Sequence, residues 1–317
     1  MTRHLLHPGW AKAGSTFLQE WFVRHPQLRF VPHQFAGFRD VFQMADVAQE
    51  NGGDHYRYYV TSSELLGSGG NVPYGFALYS FRMFTDKDLR TGQRRVCSML
   101  RDIFPDSKVL IVTRGFGGII RSLYSQYVKL GGELQFPNYL EAYGSILDQW
   151  LDVDYNLGLY REAFGAENLL VLPFELLKTD TPSFVSHVED FLGIDHFDVV
   201  PGVSNPSLEP DRLYWYALLS RYVVSPLAEI FEPARAKSLY SFYSFKVVRP
   251  DRLSLAVRML NSVFPRSTSM DFPKGYLERF RGVASSLALS EPHHPFLDHY
   301  LVESAPAVEA TRIASGT

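Results

Sequence analysis

Four short apolar runs mark the chain: Arg3–His7, Tyr58–Ser62, residues 109–113 and Leu169–Pro173. Each gives way to turn residues and then to apolar positions at helical spacing. Continuous apolar runs of this length fit strands buried on both faces, the condition of a parallel sheet. Their alternation with helices makes βαβ units, so the pattern predicts an α/β fold, a three-layer doubly wound parallel sheet. Ligands of such sheets collect beyond the C-terminal ends of the strands. Chemistry is therefore expected in residues 8–16, 63–70, 114–122 and 174–178.

Helix punctuation agrees. A helix from about residue 15 to 23 stops at His25-Pro26, and another near 183–192 ends at Gly193, a C′ glycine. From about residue 205 to 303 the pattern is helical and aromatic-rich, and the Ala/Ser-rich tail after 304 is expected to fray. One domain over 1–317 is expected, with its core in about 1–200 and helical additions behind it.

Composition narrows the function. Hydrophobic residues make up 46% and charged residues 21%, as in a folded protein. The net charge of −3 supplies no global field for nucleic acid, so an anion has to be held by local features. The single cysteine, Cys97, excludes a disulfide framework and a Cys-based zinc site. It falls in a helical pattern over residues 94–104, which disfavours a nucleophile. The first residues are too few and too polar for a signal segment, and the longest apolar stretch, 213–231, is broken by Arg221 and Pro226. The cytoplasm is the expected compartment, with no transmembrane segment. His293 and His294 read as a surface pair, and the histidines lack metal-site spacing.

The first turn carries the clearest chemistry. After Arg3–His7 come Pro8, Gly9, Trp10, Ala11, Lys12, Ala13, Gly14, Ser15, Thr16 and Phe17. A strand, a small-residue turn with a lysine, and a helix opening on two hydroxyl residues make an anion site. The helix's first amides are unpaired and its dipole end is positive. Gly14 admits close backbone approach, Ser15 and Thr16 donate to oxygens, and Lys12 brings a point charge. A triphosphate loop would read Gly-x4-Gly-Lys-Ser/Thr. Here the lysine precedes Gly14 by two positions, so the turn is P-loop-like but ill-suited to a nucleoside triphosphate.

A second anchor follows residues 109–113. Arg114 sits at the strand's C-terminal edge, residues 115–118 make the turn, and a helix from Ile119 carries Ser122 near its start. An arginine fork with a hydroxyl suits a phosphate monoester.

Taken together these stretches resemble the sulfotransferase superfamily. Lys12-Ala13-Gly14-Ser15-Thr16-Phe17-Leu18-Gln19 is similar to its 5′-phosphosulfate loop, with one Ser-for-Thr change. Arg114 and Ser122 stand at the spacing with which that family clasps the donor's 3′-phosphate. Residues 123–129, 172–178 and 188–193 also resemble it, and the likeness covers about residues 3–193. It implies 3′-phosphoadenosine 5′-phosphosulfate (PAPS) as co-substrate, 3′-phosphoadenosine 5′-phosphate (PAP) as product, and no metal. Lys12, Ala13, Gly14, Ser15, Thr16 and Phe17, with Arg114 and Ser122, would hold the nucleotide, and Phe17 would stack on adenine. Phe174 departs from the family's frequent tyrosine, which leaves an adenine contact open. The family's later Arg-Lys-Gly loop is absent, and Phe280-Arg281-Gly282 is no substitute.

Sulfuryl transfer also needs a base. Glu64 follows Tyr58–Ser62 at the strand edge, in a stretch that resembles a Ser-Glu segment of bacterial sulfotransferases. His33 and Asp40, in the segment after the first helix, are rivals. Residues 67–75 form a turn-rich loop suited to shaping an acceptor cleft. The aromatic runs at 214–216 and 240–245 either stack on sugar rings or fill core. The resemblance points to a carbohydrate or other hydroxylated acceptor. A non-catalytic PAP-binding protein of the same fold and a small-molecule kinase remain alternatives.

Overall fold

The computed structural model describes residues 3–32, 56–67, 89–198, 207–248 and 250–302. Its centre is a sheet of strands β1 (Arg3–His7), β2 (Leu28–Arg29), β3 (Tyr58–Ser62), β4 (Lys108–Thr113) and β5 (Leu169–Pro173). They lie in the order β2-β3-β1-β4-β5, all parallel. β1 is central: Leu5 pairs with Val60 on one side and with Lys108 on the other, and Leu5 and Leu6 are wholly buried. The chain leaves β1 for the β2–β3 side, then returns past it to β4. That reversal opens a crevice at the C-terminal ends of β1 and β4, where ligands of such sheets sit. The α/β doubly wound class expected from the apolar runs is the one observed.

Helices cover both faces. They are α1 (Ser15–Arg24), α2 (Glu64–Gly67), α3 (Leu89–Ile103), α4 (Phe116–Lys129), α5 (Phe136–Trp150), α6 (Val153–Phe164), α7 (Phe174–Thr179) and α8 (Thr181–Leu192). Local sequence sets their ends. Asp180 accepts from the Ser183 amide at 3.0 Å to cap α8, and Gly193 closes that helix in the left-handed region at φ 65°. Cys97 is buried in α3, and burial pushes its thiol up to about 12, the state of an inert packing residue.

The remainder is helical: α9 (Pro210–Leu219), α10 (Ser225–Ile230), α11 (Pro233–Phe242) and α12 (Ser254–Val263), with π turns at Ser220–Val224 and Tyr243–Val248. Three 3-10 segments follow, Tyr276–Phe280, Ser285–Leu289 and Glu291–Tyr300. The last returns to the sheet, where Tyr300 is buried edge-on to Phe116 and the Phe280 ring stacks on Phe116 at 5.0 Å.

The structure corrects three expectations. β2 carries too few residues to show an apolar run. α4 begins at Phe116, so Ser122 falls in its second turn. Gly117 and Gly118, expected in the turn, lie inside the helix, and Gly118 sits beside the Arg114 guanidinium. His293 is no surface residue: it is wholly buried, Nε2 lies 2.8 Å from Thr113 Oγ1 and Nδ1 2.8 Å from Ser290 Oγ. Burial lowers its pKa to about 3. His294 is exposed.

Candidate functional site

β1 ends at His7, a buried imidazole whose Nδ1 lies 2.8 Å from Ser62 Oγ at the end of β3. Gln19 of α1 donates to the same hydroxyl at 3.2 Å, so one cluster ties two strand ends to the helix. Burial lowers the His7 pKa to about 4 and keeps the ring neutral near pH 7. From this base the chain turns through residues 8–14. The Gly9 amide donates to His7 O at 2.9 Å and the Ala13 amide to Trp10 O at 3.2 Å, while Trp10, Ala11 and Ala13 are buried beneath.

Two residues of the turn hold left-handed backbone. Gly14 has φ 88°, and a Cβ there would lie 2.8 Å from Leu177 Cδ2, so geometry and space both require glycine. Lys12 has φ 69° with a full side chain, a conformation that costs on the order of 1 kcal/mol or more and concentrates at ligand sites. The result is a helix start without a side-chain cap and without an acidic residue in its first turn. Ser15 Oγ is buried with no hydrogen-bond partner, a cost that an anion's oxygen would remove. Thr16 is exposed beside it.

Arg114 leaves β4 toward the same crevice. Its Nη1 donates to Lys12 O at 2.6 Å, and its guanidinium carbon stands 4.6 Å above the Phe174 ring. Burial lowers its pKa and the charge of Glu175 opposes that shift, so the group stays cationic. Glu175 is itself fixed: Oε1 accepts from the Gly115 amide at 3.0 Å and Oε2 from the Tyr300 hydroxyl at 2.9 Å. Tyr300 also lies 2.9 Å from Thr113 Oγ1, so the C-terminal segment locks the turn after β4.

These parts border one cleft of ≈ 370 Å³, within the size range of small-molecule sites. Lys12, Gly14, Ser15, Thr16 and Phe17 line it from the first turn, Arg114 and Ser122 from the second, and Glu64 from α2. Glu64 is held at the rim because α2 presses on the loop: a Cβ at Gly67 would stand 2.7 Å from Gly9 O. Ala13 packs behind the loop, buried. His33 and Asp40 lie outside the described residues, as does most of the loop expected to shape an acceptor cleft. Among the described residues, Lys12, Arg114 and Lys178 bring three cations to the lining and Glu64 one carboxylate. The arrangement can hold an anion with two charged ends, one on the α1 amides and one at Arg114 and Ser122.

No family model matches the chain, and no curated protein does. Among solved structures, a sulfotransferase from Alicyclobacillus acidocaldarius is similar over 76% of this chain and 95% of its own. Identity is 20% and the TM-score 0.38, values at which similarity carries no argument about chemistry. The chemistry rests on the residues of the cleft.

Two lining residues, Lys178 and Ser207, were given no role by the sequence, and Phe174 was given a different one. Phe174, read as a missing tyrosine, instead supports Arg114 with its ring face. Lys178 follows it in α7, at the C-terminal edge of β5, where strand-end position alone was a usable signal. Ser207 arrives from a stretch with no motif. The aromatic runs divide: Tyr216 and Tyr243 are buried core, whereas Phe242 and Phe245 are exposed.

Proposed function

We propose that the chain is a sulfotransferase that moves a sulfuryl group from PAPS to an acceptor hydroxyl or amine. The observation that carries this reading is the convergence of the first turn, with its unpartnered buried Ser15 Oγ, and of Arg114 and Ser122 on one cationic cleft. In this reading the α1 amides with Ser15 and Thr16 hold the 5′ end, and Arg114 and Ser122 hold the 3′-phosphate. Phe17, half-buried at the cleft, offers a ring face for adenine.

The residues divide the transfer step among them. Glu64 takes the acceptor's proton as the acceptor oxygen or nitrogen bonds to sulfur. Lys12 offsets the charge that develops on the phosphate oxygen as the bridging S–O bond breaks, and PAP leaves. His33 is the alternative base. No metal is needed, because amides, hydroxyls and Lys12 already face the leaving group. A carbohydrate is our choice of acceptor on the family resemblance, and the cytoplasm suits a chain whose one cysteine is a free thiol.

Calorimetric titration with PAP, against 5′-AMP and ATP with Mg²⁺, tests the donor site. Tight binding that requires the 3′-phosphate is the expected result. Equal binding of PAP and 5′-AMP removes the clasp, and preference for ATP with Mg²⁺ turns the reading to a kinase. Turnover of PAPS with a panel of sugars then separates an enzyme from a non-catalytic PAP-binding protein.

A further inference from the structure

Sixteen large apolar side chains stand exposed among the described residues, and twelve of them lie between Tyr222 and Phe264. Several are bare: Ile230 is 77% exposed, Leu255 69% and Val263 67%. Isolated exposed apolar residues are ordinary, but concentration in one stretch marks a contact surface. Helical spacing gathers them into faces. On α12, Leu255, Met259 and Val263 stand at i, i+4 and i+8, while Val257 is that helix's one buried residue. Val223, Leu227 and Ile230 form a second stripe along α10 and the π turn before it.

The exposure is built in, because the inner side of the same stretch is well bonded. Trp215 Nε1 donates to Asn261 Oδ1 at 3.2 Å, and Tyr216 donates to Asp251 at 2.8 Å beneath an Arg212–Asp251 ion pair. Ser225 donates to Glu133 at 2.8 Å, and Ser220 donates to Gly131 O just beyond α4. The cap is anchored to the body, and its outward side chains are held out in the solvent.

Charge identifies the occupant. Among the described residues of this stretch and just beyond it, Arg221, Arg235, Lys246, Arg252, Arg258 and Arg266 are exposed, against exposed Glu229 and Glu232. The whole chain carries −3, so the cap departs in sign from the protein that bears it. A second copy of the chain would set these cations against one another across a two-fold axis. An anionic lipid surface satisfies both features: apolar side chains enter the headgroup boundary while arginines meet phosphate and carboxylate groups. None of the described helices is long and apolar enough to cross a bilayer.

We infer that the helical cap from Tyr222 to Arg266 is a docking face for an anionic membrane surface. The inference stands independently of the sulfuryl-transfer reading. Co-sedimentation of the full chain with phosphatidylcholine vesicles, with and without phosphatidylserine, tests it. The protein sediments with the anionic vesicles and is released by salt. R252Q/R258Q lowers partitioning about 25-fold, at about fivefold for each charge near the surface. L255S/M259S lowers it about tenfold or more while the thermal midpoint stays put, since both side chains face solvent. Equal partitioning to neutral and anionic vesicles, or none to either, overturns the inference. So does a lipid-free wild-type dimer that L255S/M259S converts to monomer, which would assign the face to a second copy.

Discussion

The turn after β1 takes seven residues, 8–14, to reach its helix, whereas the turn after β4 takes two, Arg114 and Gly115. The long turn spends its length on backbone: left-handed Lys12 and Gly14 open the α1 amides to the cleft, and its side-chain floor is buried. The short turn delivers a side chain. The Gly115 amide is already taken by Glu175, and Arg114 is laid between Lys12 O and the Phe174 ring. Backbone amides supply a cradle indifferent to what lies beyond the anion, while a supported guanidinium recognises a second, separate anion. The two turns are joined by the Arg114–Lys12 hydrogen bond, so the cradle and the fork are held in one register.

If the first turn and α2 carry the chemistry and the second turn carries recognition, substitutions must separate the two. The largest effect is expected on the chemical step. Glu64→Gln lowers kcat about 10²–10⁴-fold, and Lys12→Ala lowers it about 10²–10³-fold. Both leave PAP affinity largely unchanged by calorimetry. Unchanged turnover in Lys12→Ala would remove the lysine from the mechanism. A loss in His33→Ala in place of Glu64→Gln would move the base to His33.

Next in size is a pH effect, because each turn is rooted on a buried neutral histidine. His7 stands at the foot of the first with a pKa lowered to about 4, and His293 binds Thr113 at the foot of the second with a pKa lowered to about 3. An unfolded histidine titrates near about 6.5. Between the folded and unfolded values the unfolded chain binds more protons, so stability rises with pH there. Stability is therefore undiminished above about pH 6.5 and falls as pH drops toward about 4, by about 1.4 kcal/mol per unit for each histidine. Denaturant midpoints across that range measure the slope. His7→Gln and His293→Gln each flatten it, and an unchanged slope in both would place the titrating groups elsewhere.

The sequence made the first turn legible because its parts are contiguous: a strand, a glycine-bearing turn and a helix start are neighbours along the chain. Four of the five strands were readable for the same reason, as apolar runs, while the two-residue β2 was not. What escaped was assembled from afar. Glu175 reaches the Gly115 amide from 60 positions away, and Tyr300 reaches Glu175 and Thr113 from more than a hundred, with no local pattern to mark it for that contact. His293 looked like half of a polar pair, yet its burial is decided by the fold of Glu291–Tyr300 back onto β4. Ser207 reaches the cleft through the Leu208 amide's bond to Ser125 Oγ, a contact between segments that share no motif.

The third effect isolates the fork. Arg114→Ala weakens PAP binding by about 1.5–3 kcal/mol, the scale of a charged hydrogen bond. It leaves 5′-AMP binding nearly as in the wild type. If both nucleotides weaken together, the lost Arg114–Lys12 bond has disturbed the cradle, and the two turns are one recognition unit.

The smallest effect decides between those outcomes. Phe174→Leu keeps an apolar side chain under the guanidinium and leaves the hydrogen bond to Lys12 O in place, but removes the aromatic face 4.6 Å beneath Arg114. A cation–π contact of this kind contributes about 0.5–1 kcal/mol at a partly exposed site. The cradle is untouched in this variant, so only the ligand that uses the fork should feel the change. PAP affinity falls about two- to fivefold, 5′-AMP affinity does not move, and kcat at saturating PAPS is retained. Equal losses for both nucleotides would mean that the ring acts on the cleft as a whole, through its contact with Gly14, where a Cβ would lie 3.1 Å from Phe174 Cδ2. The backbone turn would then depend on the side-chain turn's support, and the division of labour between them would fail.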